Sequence, residues 1–208
     1  NPAPKEMSIK DKEEDDLSNA FSLPQYLSIL NAVIKGGRND LIYQCLEELY
    51  DNLEEIDDLI YQHPCNQLHV LLDLLLNDDL DIKILSFSCI YLMIKKSQKI
   101  GIFLFHNTNI IDIIIGCIEN NPKSALTYRF FDVISSFSSI NSDIHHNIIK
   151  QFPISTWQQL LQVDAIFLQY SEYIYNITLY NPEDFELQQH LLSIIHHTLE
   201  HILQQDAQ

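Results

Sequence analysis

Residues 66–96, NQLHVLLDLLLNDDLDIKILSFSCIYLMIKK, decide the architecture of this chain. Apolar residues recur at helical spacing from Leu68 to Leu76, stop at Asn77-Asp78, and resume from Leu80 to Ile94. That pattern predicts a short amphipathic helix, a tight polar turn and a helix of about four turns over 80–96. A third helical segment, SQKIGIFLFHN, follows at once.

The same order of elements repeats on either side. Apolar helices begin near Pro24 (PQYLSILNAVIKGG), Asn66, Thr108 (TNIIDIIIGCIENN) and Ile154 (ISTWQQLLQVD), at intervals of 42, 42 and 46 residues. Each is followed by a turn and then by a long helix, expected over 38–55, 80–96, 122–139 and 164–180. Short closing segments are expected at IDDLIYQHP, SQKIGIFLFHN and SDIHHNIIKQFP, with the longer PEDFELQQHLLSIIHHTLEHIL as a terminal cap. No single unit of this kind buries its apolar face alone, so neighbouring units must supply the core by stacking. The fold class expected is all-α, a right-handed α-solenoid of about four repeats. Its expected organisation is an acidic tail over 1–20, a helical repeat domain over 21–204 and a short tail over 205–208. The first twenty residues carry too little apolar surface to offset the entropy of ordering them.

Composition agrees. The 208 residues are 46% apolar, with only four Gly and seven Pro, which leaves little material for turn-rich β folds or Gly-loop nucleotide sites. Twelve Lys and Arg oppose 29 Asp and Glu, for a net charge of -17. That field repels phosphate backbones and anionic lipid, so no nucleic-acid and no membrane partner is expected. The charge is uneven: 31–63 carries -6, 64–107 is neutral, and 151–208 carries -7 with no Lys or Arg after Lys150. No apolar run reaches the ~18 residues of a membrane span, because Asp112 interrupts the richest one, Ile110 to Ile118. Cys45, Cys65, Cys89 and Cys117 form no CxxC pair and are expected to be reduced, mostly buried thiols. A soluble cytoplasmic or nuclear location is the resulting expectation.

No chemistry-bearing motif competes with an interaction role. His197 and His201 share a helix face with His190, His196 and Glu200 nearby, a weak metal signal that a solvated surface explains better. Gly36, Gly37, Gly101 and Gly116 flank no nucleophile, and there is neither a P-loop nor a GxGxxG. Carboxylates such as Glu47, Glu48, Glu54, Glu55, Asp57 and Asp58 fall on helix surfaces. The aromatics Phe130, Phe131, Phe167, Tyr170, Tyr173 and Tyr175 have helical spacing and are expected in core and groove wall. The sequon Asn176-Ile177-Thr178 sits mid-helix and is expected to be silent. The chain is therefore expected to be no enzyme, with no cofactor and no metal.

In helix order, turn positions and apolar pattern, as in LLDLLLNDDLDIKILSFSCIYLMI and IIIGCIENNPKSALTYRFFDVISSF, the chain resembles the armadillo and HEAT repeat families over about 21–204. Its junctions His63-Pro64, Asn107-Thr108 and Phe152-Pro153 stand where armadillo repeats usually place a glycine. The resemblance implies a concave groove lined by the long helix of each unit, with groove residues four apart. Registering those helices on Leu53, Ile94, Phe137 and Ile177 places Glu48 and Asn52, Cys89 and Met93, Asp132 and Ser136, and Glu172 and Asn176 toward it. Importin-α-like receptors hold basic peptides with a Trp and an Asn at such positions. Asn52 and Asn176 match the Asn, whereas Glu48 and Glu172 replace the Trp. The segment LEELYDNLEEIDDLIYQHPCNQLHVLLDLLLNDDLDIKILSF also resembles the armadillo-type nucleotide-exchange factors of heat-shock chaperones, which grip an ATPase lobe; Lys95-Lys96-Ser97 departs from their polar, amide-rich turn. The function expected is a non-catalytic scaffold or adaptor that binds another protein on its concave face. The alternatives implied are a co-chaperone exchange factor and an importin-like binder of a basic peptide segment.

Overall fold

A computed structural model describes residues 22–54, 66–120 and 126–151, together with 175, 183, 185, 188–189, 191–193, 195–196 and 199–200. The described elements are all helical, and none of the described residues lies in a strand. Helix α1 spans Leu23–Lys35 and α2 Asn39–Asn52; a 3-10 turn at Asn66–Leu68 leads into α3, His69–Leu74. Then come α4 (Leu80–Lys96), α5 (Gln98–Asn107), α6 (Ile110–Asn120), α7 (Leu126–Ser138) and α8 (Ser142–Gln151).

Local chemistry places the boundaries. Ser22 N–H donates to Gln25 Oε1 at 2.7 Å, and Pro24 occupies the first turn of α1, where its missing N–H costs nothing. That helix ends at Gly36-Gly37, where Gly37 takes φ 67°, a conformation a side chain would strain. Before α4, Asn77 Oδ1 accepts from Asp79 N–H at 2.8 Å, and the Asp79 carboxylate accepts from Asp81 N–H and Ile82 N–H at 3.0 and 3.3 Å. The polar turn thus serves as a helix cap. Ser97 alone separates α4 from α5 and caps both.

The expected long helices over 38–55, 80–96 and 122–139 correspond to α2, α4 and α7, and the closing segments after 97 and 142 to α5 and α8. The helix expected from Ile154, the long helix over 164–180, the segment IDDLIYQHP and both tails lie outside the described residues.

Packing is organised around α4, which lies against α2 on one side and α7 on the other. Helix α1 packs on α2 and α3, α3 on α4, and α5 on α4, α6 and α7, while α8 packs on α7. The buried residues form one hydrophobic cluster. Its largest members include Phe87, Phe130, Phe131 and Phe137, all 0% exposed, so Phe130 and Phe131 are core, as their spacing suggests. The Phe87 and Phe130 rings meet edge to face at 4.6 Å between centroids, joining α4 to α7. Close approach is also built in at Gly101 on α5, where an added Cβ would run into Ile140 Cδ1 and lie 3.2 Å from Ile94 Cγ2.

One polar contact joins the ends of α4 and α2 over a long sequence separation. Lys96 Nζ donates to Leu53 O at 2.6 Å and to Glu54 O, so an ammonium from the end of α4 satisfies carbonyls just past the end of α2. Helix C-termini carry unpaired carbonyls and partial negative charge, which is why a cation is stabilising there. Lys96→Met keeps the stem and deletes the donor. It is expected to cost about 1–2 kcal/mol, read as a lower urea midpoint with an unchanged slope.

Candidate functional site

Each long helix leaves one strip uncovered. On α2, Ile42, Leu46 and Leu49 are buried, whereas Asp40, Tyr43, Gln44, Glu47, Glu48 and Asp51 are exposed at spacings of three and four. One face of α4 shows the exposed or half-buried Asp81, Ile84, Leu85, Tyr91, Leu92 and Lys95, with the buried Ser88, 4% exposed, between them. Helix α7 presents Arg129, Asp132 and Ser135, and Ser139 follows just past its end. Residues three, four and seven apart share a helix face, so each set is one continuous strip.

Polar groups on these strips are largely tied to their own helix. Lys95 Nζ sits 4.9 Å from the centre of the Tyr91 ring. Arg129 Nη1 lies 3.3 Å from Asp132 Oδ2, and Asn52 Nδ2 donates to Glu48 O at 2.7 Å. The α2 strip is anionic, the α4 strip mostly aliphatic and aromatic, and the α7 strip mixed.

The expected groove residues divide accordingly. Glu48 is exposed and Asp132 half-buried, both on uncovered strips, and Asn52 is half-buried beside Glu48. Cys89 and Met93 require correction: both are 0% exposed. Cys89 Sγ lies 3.8 Å from Leu46 O, which places it between α4 and α2 and not on an open face. Burial, with a smaller contribution from the Asp51 charge, pushes its thiol pKa up. Ser136 is only 8% exposed, and its hydroxyl donates to Asp132 O at 2.8 Å, so it too is mostly internal. Glu172 and Asn176 lie outside the described residues.

Register explains the error. One residue turns a helix by about 100°, so stepping from Leu92 to Met93 moves from the uncovered strip into the core, and Cys89 likewise faces inward, against α2. Asp81 and Lys95, both exposed and a whole number of heptads apart, carry the available signal: charged residues at that spacing mark the outer face of an otherwise apolar helix.

A separate cavity of about 590 Å³ lies between the α3–α4 turn and α6, lined by Leu75, Leu80, Lys83, Asp112, Ile113 and Cys117 among others. Burial raises the Cys117 pKa, which the Lys83 charge partly offsets. The cavity thus joins one cation and one carboxylate to leucine walls and a thiol held in its protonated form. Among the described residues no group of three or more His, Cys, Asp and Glu side chains converges to hold a metal ion; His190, His197 and His201 are outside that set. The described cysteines Cys45, Cys89 and Cys117 are free thiols. Among the described residues no single helix is long and apolar enough to cross a membrane. The α5–α6 pair has the composition but bends by 79° at its break.

Comparison with known proteins returned no matching family model, no similar curated protein and no similar solved structure.

Proposed function

We propose that this chain is a non-catalytic protein-interaction module. In this reading it is a right-handed α-solenoid of armadillo-like units that holds a folded partner against the uncovered strips of its long helices. The observation that carries the reading is the row α2, α4, α7: helices one repeat period apart in sequence, each lying against the next. Such a row leaves corresponding faces of successive helices side by side, which is how repeat proteins assemble an extended binding surface.

The chemistry of the strips favours a partner surface over a threaded basic peptide. Asn52 already commits one of its two side-chain N–H donors to Glu48 O, and α4 offers Ile84, Leu85, Tyr91 and Leu92 where a peptide reader needs polar anchors. Aliphatic and aromatic residues of this kind contribute most when a broad protein surface excludes water from them. Gripping an ATPase lobe, as the resemblance of residues 46–87 to chaperone exchange factors implies, is one such activity.

Two measurements test the reading. The purified chain is expected to accelerate nucleotide release from a heat-shock ATPase domain if that lobe is the partner; unchanged release removes this partner. Tyr91→Glu combined with Glu48→Lys and Asp132→Lys is expected to weaken capture of the native partner at least tenfold, about 1.4 kcal/mol or more, with helical content unchanged. Undiminished capture by that variant would remove the long-helix face from the account.

A further inference from the structure

Outside α2, α4 and α7, the chain carries a second apolar strip. Phe185, Leu192, Ile195 and Leu199 are 69%, 65%, 47% and 55% exposed. Every described position from 185 to 200 is helical, and these four are separated by seven, three and four residues. That is the spacing of one seam in a two-helix contact, with Phe185, Leu192 and Leu199 at one heptad position and Ile195 at the other. The segment is held to the body along one edge of this strip: Leu191, about 100° round from Leu192 and four residues before Ile195, packs against the hydrophobic core. The seam therefore faces outward while its helix remains anchored, and four large apolar residues at helical spacing form a patch of the kind that marks an interaction site.

Charge selects the occupant. Residues 151–208 contribute -7 and contain neither Lys nor Arg. Glu183 and Glu200 are exposed at the two ends of the seam, and Glu200 Oε2 lies 3.7 Å from His196 Nδ1. A second copy of this chain would bring the same negative charge, and an anionic bilayer would be repelled likewise. We infer that this seam docks an amphipathic helix of a partner protein whose own leucine or isoleucine seam is flanked by Lys or Arg. Apolar insertion supplies the affinity, and the flanking cations meet the exposed carboxylates at the ends of the seam. The inference stands apart from the long-helix face, since it uses neither α2, α4 nor α7.

The test uses two synthetic 21-residue helical peptides with the same leucine seam, one flanked by Lys and one by Glu, titrated by fluorescence anisotropy against the full chain. The Lys peptide is expected to bind at least 30-fold more tightly than the Glu peptide, with an affinity that falls severalfold between 50 and 300 mM salt, as roughly expected for screened charges. Leu192→Asp is expected to lower that affinity at least tenfold, and Phe185→Ser, at the far end, by a smaller factor. Glu48→Lys with Asp132→Lys should leave it unchanged, which separates failure of this site from failure of the long-helix face. Circular dichroism confirms that each variant is folded, and Phe185→Ser serves as the reporter if Leu192→Asp is not. Equal binding of the two peptides, no binding of either, or insensitivity to both seam variants would overturn the inference. So would a concentration-dependent dimer in sedimentation that Leu192→Asp abolishes, because the occupant would then be a second copy.

Discussion

Phe87→Ala is expected to remove about 3–5 kcal/mol of stability, the largest loss from any single substitution considered. Phe87 is 0% exposed and meets Phe130 edge to face at 4.6 Å, so truncation deletes both its own burial and one half of an aromatic pair. Because α4 lies between α2 and α7, the cavity would open at the junction on which the row depends. Domains of this size are stable by only about 5–15 kcal/mol, so the variant should lose a large share of its margin. Urea unfolding of wild type, Phe87→Ala, Phe130→Ala and the double variant measures it. The double variant is expected to lose about 0.5–1.5 kcal/mol less than the sum of the singles, as for other aromatic pairs. Strict additivity would mean that the rings contribute by burial alone.

The second large effect is pH-dependent. His145 on α8 is 0% exposed, and burial, reinforced by the neighbouring His146, pushes its pKa from 6.5 down to about 4. A histidine depressed in the folded state binds its proton more readily once the chain unfolds, so lowering the pH favours unfolding. Above pH 6.5 both states are neutral and the group has no effect on the balance. Between 6.5 and about 4 the unfolded chain takes up a proton that the folded chain refuses, and stability falls through that window. At 1.36 kcal/mol per unit the loss approaches about 3 kcal/mol at the lower end. Denaturation midpoints collected from pH 7.5 to 4 should show this decline in wild type, and His145→Gln should flatten the part that begins near 6.5. Parallel curves for the two proteins would show that the imidazole does not titrate differently on folding. Carboxylates contribute at lower pH in both proteins and cancel in the comparison.

Which parts of this structure could be read from the sequence follows from what each depends on. The helix pair around Asn77-Asp78 was legible because its determinants are local: an alternating apolar stripe, then a run of Asn and Asp that caps the next helix through the Asp79 carboxylate. The end of α1 at Gly36-Gly37 was legible for the same reason. The groove residues were harder, because which flank of α4 is covered depends on α2 arriving from one side and α7 from the other. An almost uniformly apolar helix such as ILSFSCIYLMI carries little internal information about that choice. A register set on Ile94 turns Cys89 and Met93 outward although both are interior, whereas on α2, whose polar face is distinct, Glu48 is exposed. The Lys96 contact was not legible at all, since it joins residues 42 and 43 apart through backbone carbonyls that every sequence possesses. The outward seam at Phe185, Leu192, Ile195 and Leu199 was written in its spacing but hidden by a second apolar stripe on the same segment, to which Leu191 belongs.

Ser97 has a further consequence. With a single residue closing α4 and opening α5, the hinge has no slack. One amino acid inserted or deleted there would swing everything after it by about a third of a turn, and Gly101 would no longer sit beneath Ile140, whose side chain would have to shift to admit a Cβ. A chain that gained a residue at that corner would need a compensating loss within the same turn to keep its packing.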